Sequence, residues 1–557
     1  PPPPPRPPPP PRPTFRRQRQ MCIRDRYGTE AAIVVLFFLS GICSLVYQIA
    51  WVRMLVPTFG MSVLAVSTVL TSFMAGLALG SALFGRLVDR SASPLKIYAW
   101  LELGIGLCAL AFPFVLAGLD DLYTVLYRLL EGRPYLFSLV RFAICFLVLL
   151  VPTTLMGATL PVLSKFVVQR LAAVGRRIGT LYALNTFGAM AGCLIAAFFL
   201  MEQAGVRGAT WVAAAANILV AAVAFVLGWA IRDTAPRAAE SRARRGAEPP
   251  ADARSPELVE GRSMSRLVFW GFALSGFTAL GYEVIWARLL SVILRLTTSQ
   301  SLSVILITFL FGLALGGAIG ARWADRWKRL FTVFGAAELA LGLFGLASLA
   351  ALSAIPRIVA SLTFATWWGH MAKLFLVAFG VMLLPTILMG LLFPVAGKIH
   401  VRGLGSLGRR IGNVYAANTT GAIFGAFVAG FVLIPLVGTQ VSLQVLAWIN
   451  VAVGAAVLLL DPALRPRARL AVAAALALPV LLITLLLPSG FMRDLFERAQ
   501  PRAELLYYDE AAGGTVTVYE FPRGNRILRV NGAGEVPTDR ASIQIFRLLG
   551  NLPLALH

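Results

Sequence analysis

Histidine is nearly absent, with three in 557 residues, which leaves a His-based metal centre without ligands. Cysteine is scarce as well. Cys22, Cys43, Cys108, Cys145 and Cys193 form no CxxC pair, so neither zinc spacing nor a disulfide framework is written here. Four of the five lie in apolar stretches, as small buried hydrophobes do. Charge is the third shortage: 14% of residues are charged against 58% hydrophobic, and mean hydropathy is +0.77. A soluble protein of this length needs far more charge to cover its surface, and a disordered chain cannot be this apolar. The acids are the smaller share, 26 against 50 basic residues, a net charge of +24. Because most Arg and Lys fall between apolar runs, the excess reads as membrane-flanking loops and not as a nucleic-acid surface.

Apolar runs of roughly 20 residues, enough to cross a bilayer, recur near 31–54, 61–84, 95–117, 136–162, 178–200 and 208–230. They resume near 267–290, 300–320, 330–352, 372–396, 412–436, 440–460 and 468–488, giving thirteen spans. The stretches 121–130 and 355–371 read as interfacial helices. Every second gap is basic: Arg86, Arg90 and Lys96, then Lys165, Arg170, Arg176 and Arg177, then the 231–266 gap. Arg322 to Arg329, Lys398 to Arg410 and Arg465 to Arg469 continue the alternation. The positive-inside rule then puts the N-terminus in the cytoplasm, in a bacterial inner membrane, and an odd span count puts the C-terminal tail outside, unless span thirteen is re-entrant or another segment crosses, which would leave the tail inside.

The expected organisation has a low-complexity tail at 1–30, six spans at 31–230, a cytoplasmic linker at 231–266, and six spans at 267–460. A thirteenth span at 461–490 and a tail unit at 503–557 follow. Residues 1–13 are proline except for Arg6 and Arg12, and the string MCIRDR at 21–26 resembles a translated sequencing adapter. That segment is either a cytoplasmic tail or extraneous, and 1–26 is left out of the fold.

The two six-span halves are copies. LSG at 39–41 with Tyr47, Trp51 and Arg53 recurs as LSG at 274–276 with Tyr282, Trp286 and Arg288. GLALG at 76–80 with Asp89-Arg90 recurs at 312–316 with Asp325-Arg326, and PTTLMG at 152–157 recurs as PTILMG at 385–390. RRIG at 176–179 matches 409–412, Glu102 matches Glu338, and Asn217 matches Asn450. An even number of spans per half makes the repeat parallel, about an axis normal to the membrane. Gly85-x-x-x-Asp89-Arg90 resembles the loop between spans two and three of the major facilitator superfamily, although Ala321 stands at the glycine position of the second copy.

Polar residues inside lipid are costly and mark candidate sites. Glu283, opposite Gln48 of the first copy, and the pair Glu102 and Glu338 are the strongest. A two-fold axis would bring Tyr47, Gln48 and Trp51 to face Tyr282, Glu283 and Trp286 in a central site for a small molecule or an ion. The alternative is structural pairing, with Glu283 on an arginine and the aromatics in an interfacial belt.

The tail changes character. Strands at 515–519 and 526–530 flank a Pro522-Arg523-Gly524-Asn525 turn, and Asp539 caps an amphipathic stretch,. LLYYDEAAGGTVTVYE, VNGAGEVPTD and LLGNLPLALH resemble the entry hairpin of the polyamine aminopropyltransferases, the spermidine synthase family, in its membrane-fused branch. The resemblance implies an all-α polytopic protein, two parallel six-helix repeats plus one span, followed by the truncated start of an aminopropyltransferase domain. It implies transfer of an aminopropyl group from decarboxylated S-adenosylmethionine to a polyamine in the full-length protein. This chain itself is expected to bind no cofactor and to supply no catalytic residue. Tyr508, Asn531, Glu535 and Asp539 match positions near that family's active-site mouth. The competing expectation is a facilitator-like transporter or channel for polyamines or another small solute. The bilayer is the one firm partner, nucleic acid is not expected, and the sequence fixes no oligomeric state.

Overall fold

The computed structural model describes residues 14–59, 62–130, 133–234, 256–294, 299–361, 364, 366–500, 502–511, 514–531 and 533–547. Helix dominates, because a chain crossing hydrocarbon must satisfy each backbone N–H and C=O within its own segment. The first half comprises α1 (Thr14–Phe59), α2 (Ser62–Val88), α3 (Pro94–Leu129), α4 (Pro134–Val167), α5 (Val174–Ile195) and α6 (Met201–Thr234). The second comprises α7 (Pro256–Leu294), α8 (Ser299–Trp323), α9 (Leu330–Ser361), α10 (Trp367–His400), α11 (Leu407–Val428) and α12 (Ile434–Leu459). α13 (Pro466–Leu486) and the short α14 (Phe491–Ala499) follow.

Among the described residues, eleven helices are long and apolar enough to cross a membrane. Two of them, Leu171–Ala230 and Leu404–Leu459, break at Gly205 (φ 68°) and Gly438 (φ 78°). That left-handed backbone is open to glycine and strained for other residues. Counting each broken helix twice gives 11 + 2 = 13 crossings. The expected interfacial helices at 121–130 and 355–371 are not separate elements at their starts: α3 continues to Leu129 and α9 to Ser361. Polar Asp120 and Asp121 lie on α3 without interrupting it. Residues 235–255 of the expected linker lie outside the described residues; its two ends are helical, in α6 and α7.

Lipid tails are as apolar as leucine, so helices in a bilayer are held by close approach and polar contacts. The repeated motifs supply both. GLALG on α2 lies against PTTLMG on α4, where a Cβ at Gly80 would fall on the Thr154 carbonyl oxygen. The second copy repeats the joint between α8 and α10, with Gly316 over the Ile387 carbonyl. Two motifs that look independent in sequence are the two sides of one helix crossing.

The tail is a four-stranded antiparallel meander, β1 (Glu504–Ala511), β2 (Gly514–Glu520), β3 (Arg526–Val530) and β4 (Ala533–Pro537), in the order β1-β2-β3-β4. The expected hairpin is β2–β3, with Thr517 opposite Arg529; β1 and β4 extend it on either side. The sheet is fastened to the second bundle. Arg288 donates from Nε to Thr515 Oγ1 at 2.9 Å and from Nη1 to the Ala511 carbonyl at 3.0 Å. Glu510 accepts from Thr439 N at 2.5 Å and Thr439 Oγ1 at 2.6 Å, capping the helical turn that begins after the Gly438 break. Tyr508 donates to Glu510 at 2.6 Å, and burial together with that carboxylate pushes its phenol well above the ordinary tyrosine range.

These residues do not make the start of an aminopropyltransferase domain. Alternating apolar residues around a Pro-Arg-Gly-Asn turn specify a hairpin wherever it sits, without specifying the domain it belongs to. Here Thr515, Ala511 and Glu510 bond to the membrane helices.

Candidate functional site: a cavity between the bundles

A cavity of about 240 Å³ lies between the halves and is lined by matching residues from both copies. Ser40 and Ser275, Gln48 and Glu283, Asn185 and Asn418, and Thr186 and Thr419 all reach it. On α1 the lining positions 41, 44, 45 and 48 recur at the three- and four-residue spacing of one helix face. The glycines of the LSG motifs hold this face close to the neighbouring helix, since a Cβ at Gly276 would fall on the Asn418 carbonyl oxygen. Asn418 Nδ2 donates to the Phe272 carbonyl at 2.9 Å across the same joint. Among the described residues, Glu283 is the one acidic residue in the lining, and no Arg, Lys or His joins it. Among the described residues no ion pair neutralises it.

The structure separates the residues that the sequence grouped together. Gln48 and Glu283 face the cavity, whereas Tyr47, Trp51, Tyr282 and Trp286 are fully buried within their own bundles. Tyr47 stacks on Trp51 with ring centroids 5.2 Å apart, and Tyr282 on Trp286 at the same distance. Residues 47 and 51 are one helical turn apart and share a face that residue 48 does not.

Glu102 and Glu338 are also fully buried, one per bundle, and each anchors a hydrogen-bonded chain. Ser40 Oγ donates to Glu102 at 2.6 Å, Asn217 Nδ2 donates to its other oxygen, and Tyr47 OH donates to Asn217 Oδ1 at 2.9 Å. In the second bundle Asn450 Nδ2 donates to Glu338 at 2.7 Å and Tyr282 OH to Asn450 Oδ1 at 3.3 Å. Ser40 and Ser275 line the cavity, so the Glu102 chain ends at its wall. Sequence reasoning matched Asn217 to Asn450 without seeing that both serve the glutamates. The signal was there, since Tyr, Glu and Asn all recur in both copies.

At the basic face the bundles are clamped together. Asp89, after α2, accepts from the backbone N–H of Gly408 and Arg409 at 2.9 Å each and pairs with Lys165 at 3.2 Å. Asp325, after α8, accepts from Gly175 N at 3.0 Å and Arg176 N at 2.8 Å and pairs with Lys398 at 2.7 Å. Each aspartate therefore sits at the N-terminus of a helix of the other half, where unpaired N–H groups and the helix dipole favour an anion. The Asp-Arg repeat was visible in sequence, but its partners some 150 and 320 residues away were not.

In the tail the expected substrate-lining residues lie on the sheet and just after it. Tyr508 packs on Phe496. Asn531 Oδ1 accepts from Thr515 N at 3.0 Å. Asp539 accepts from Ser542 N and Oγ as a helix cap, and the Ser542 hydroxyl holds its carboxyl below the usual range. Glu535 lies on β4, and its side chain is outside the described residues.

A family model described as Major Facilitator Superfamily matches residues 32–392, well over half of the chain. No curated protein matches. Among solved structures, the human organic anion transporter MFSD10 (TETRAN) aligns with a TM-score of 0.46 at 14% identity, over 77% of this chain and 99% of that one. A bacterial homologue of the iron transporter ferroportin aligns with a TM-score of 0.48 at 14% identity, over 80% and 99%. The Escherichia coli fucose:proton symporter FucP gives 0.43 at 14%, over 76% and 96%. The family match overturns the aminopropyltransferase reading, and with it the transferase activity, the role in polyamine biosynthesis and the decarboxylated S-adenosylmethionine co-substrate. The short facilitator-like loop at Gly85 to Arg90 was the better guide, and the chain, embedded in the bilayer as a carrier of a small solute, belongs to the Major Facilitator Superfamily.

Proposed function

We propose that the protein moves small organic cations, with Glu283 holding the positive charge in the central cavity. The observation that carries this reading is one carboxylate in a lining that, among the described residues, has no basic residue. In a membrane-enclosed site of low dielectric, an uncompensated carboxylate attracts a cation far more strongly than it does in water. Phe73, Phe309, Tyr182 and Tyr415 also line the cavity and offer ring faces to an ammonium group. At about 240 Å³ the space is below the roughly 300 Å³ at which drug-sized sites begin, which favours a small amine. Putrescine is the first polyamine to test. Rocking of the two bundles about the cavity, with the aspartate clamps as the gate at the basic face, would expose the site alternately to each side.

Glu283→Gln should cut saturable putrescine uptake into proteoliposomes about tenfold to a hundredfold, the worth of one charge-assisted hydrogen bond. The thermal midpoint should be unchanged. Uptake equal to wild type in a well-folded E283Q protein would refute the reading.

The distribution of Arg and Lys supports placing the basic face in the cytoplasm of a bacterial inner membrane, with the sheet outside. A cysteine at exposed Arg523, in a variant lacking the five native cysteines, should react with a membrane-impermeant maleimide on intact spheroplasts. Reaction only after permeabilisation would reverse the orientation.

A further inference from the structure

A second cavity, of about 880 Å³, opens beside the Asp325 clamp on the basic face. Its wall carries Arg170, Arg176 and Arg177 from the first half and Arg322 and Arg326 from the second. Among the described residues Glu30 and Asp325 are the only acids in that lining, so their formal charge with the five arginines is 5 − 2 = +3. Neither acid is idle. Glu30 takes Arg177 at 2.6 Å, while Asp325 is occupied by two backbone N–H groups and Lys398.

The clamp therefore makes no use of any of the five guanidinium groups: Arg176 contributes its backbone N–H only. Arg326 lies over the Trp323 ring, 5.4 Å from its centroid. Arg170, Arg176 and Arg322 are exposed to the cleft side, and among the described residues their guanidiniums meet no acid. Like charges gathered from two separate bodies repel, and the repulsion grows as a membrane interface lowers the local dielectric. The basic face would be pushed open at the position where the clamp holds it shut. In the second copy the counterpart of Arg177 is Arg410, which turns onto its own loop and donates to the His400 carbonyl and Ser406 Oγ. There the loop itself satisfies the guanidinium; on the Asp325 side Glu30 holds Arg177, and Arg170, Arg176 and Arg322 are left lining the cleft.

We propose that this cleft binds a phosphate-bearing anion that bridges arginines of both bundles and stabilises the closed basic face. Guanidinium forks suit phosphate oxygens geometrically as well as electrically. A lipid headgroup and a free phosphate share that chemistry, and a basic pocket between transmembrane helices at this depth is open to either.

The test uses the full chain in nanodiscs of phosphatidylcholine. In one arm phosphatidylglycerol is included; in the other, inorganic phosphate is added to pure phosphatidylcholine discs. The thermal midpoint should rise by several degrees in at least one arm, and the arm that responds identifies the source. Arg170→Gln with Arg322→Gln should abolish the rise, while Arg465→Gln with Arg467→Gln, equally exposed and basic but outside the cleft, should keep it. Native mass spectrometry of the unaltered protein gives a reading that needs no variant: a retained phosphate-bearing species that high salt strips away. No rise in either arm, no retained species, or a rise that survives in the cleft variant would overturn the proposal.

Discussion

Replacing Asp89 and Asp325 together by asparagine should open the basic face. Each carboxylate is largely buried, with side-chain exposures of 12% and 17%, and each accepts two helix N-terminal N–H groups while facing a lysine. Asparagine keeps one acceptor oxygen and removes the charge that makes such bonds about twice as strong as neutral ones. A loss of about 2 kcal/mol per clamp follows, after discounting for partial exposure. The two clamps share no partner, so their losses add to about 4 kcal/mol, roughly a thousandfold change in the closed-to-open ratio. A cysteine at cavity-lining Ser44, in a background without the native cysteines, reports the change through its rate of reaction with a maleimide applied from the basic side. Each single variant should react faster than wild type, and the double variant should react fastest. Equal rates in all four proteins would show that the aspartates do not gate this face.

What was legible in the sequence was whatever repeats or alternates. Thirteen apolar runs, basic residues in every second gap and a duplication at a nearly constant offset give two six-helix halves, because length, hydropathy and period are local properties. Partner choice is not local. Glu102 finds Ser40 62 residues back and Asn217 115 residues on, and no window on the chain shows both. The sequence also grouped neighbours by position where a helix groups them by angle. Tyr47, Gln48 and Trp51 were read as one site, but a turn of 3.6 residues sends the two aromatics inward and Gln48 to the cavity. Applying that period to 41, 44, 45 and 48 would have identified the lining. Glu283 was singled out as costly in lipid, and it does face the cavity. The strand pair of the tail was legible for the same local reason, while the domain to which it was assigned was not. A hairpin pattern says nothing about what lies beside it, and here a helix cap by Glu510 fastens β1 to the membrane bundle.

The largest effects on folding should come from the glycines at the helix crossings, and they should fall into two kinds. Gly80→Leu and Gly316→Leu lie inside a bundle, where even the Cβ would meet the carbonyl oxygen of Thr154 or Ile387. Neither helix can move away without giving up its contact along the GLALG–PTTLMG or GLALG–PTILMG joint. The penalty then exceeds the about 1–3 kcal/mol of ordinary overpacking and reaches the whole stability of a typical domain, about 5–15 kcal/mol. Little folded protein should be recovered, and the remainder should aggregate on size exclusion in detergent. Gly412→Leu makes an equally close collision, with the Ser81 carbonyl, but α11 and α2 belong to different bundles. If the two bundles part and rejoin as proposed, they can relieve the clash by parting, so this variant should fold with a near-normal midpoint. Its cost should appear instead as faster maleimide reaction at Ser44→Cys from the basic side. Recovery of Gly80→Leu with a wild-type midpoint would show that the GLALG joint is looser than its carbonyl contacts require. Gly412→Leu failing to fold would show that the two halves form one inseparable body at this face, leaving the clamps nothing to open.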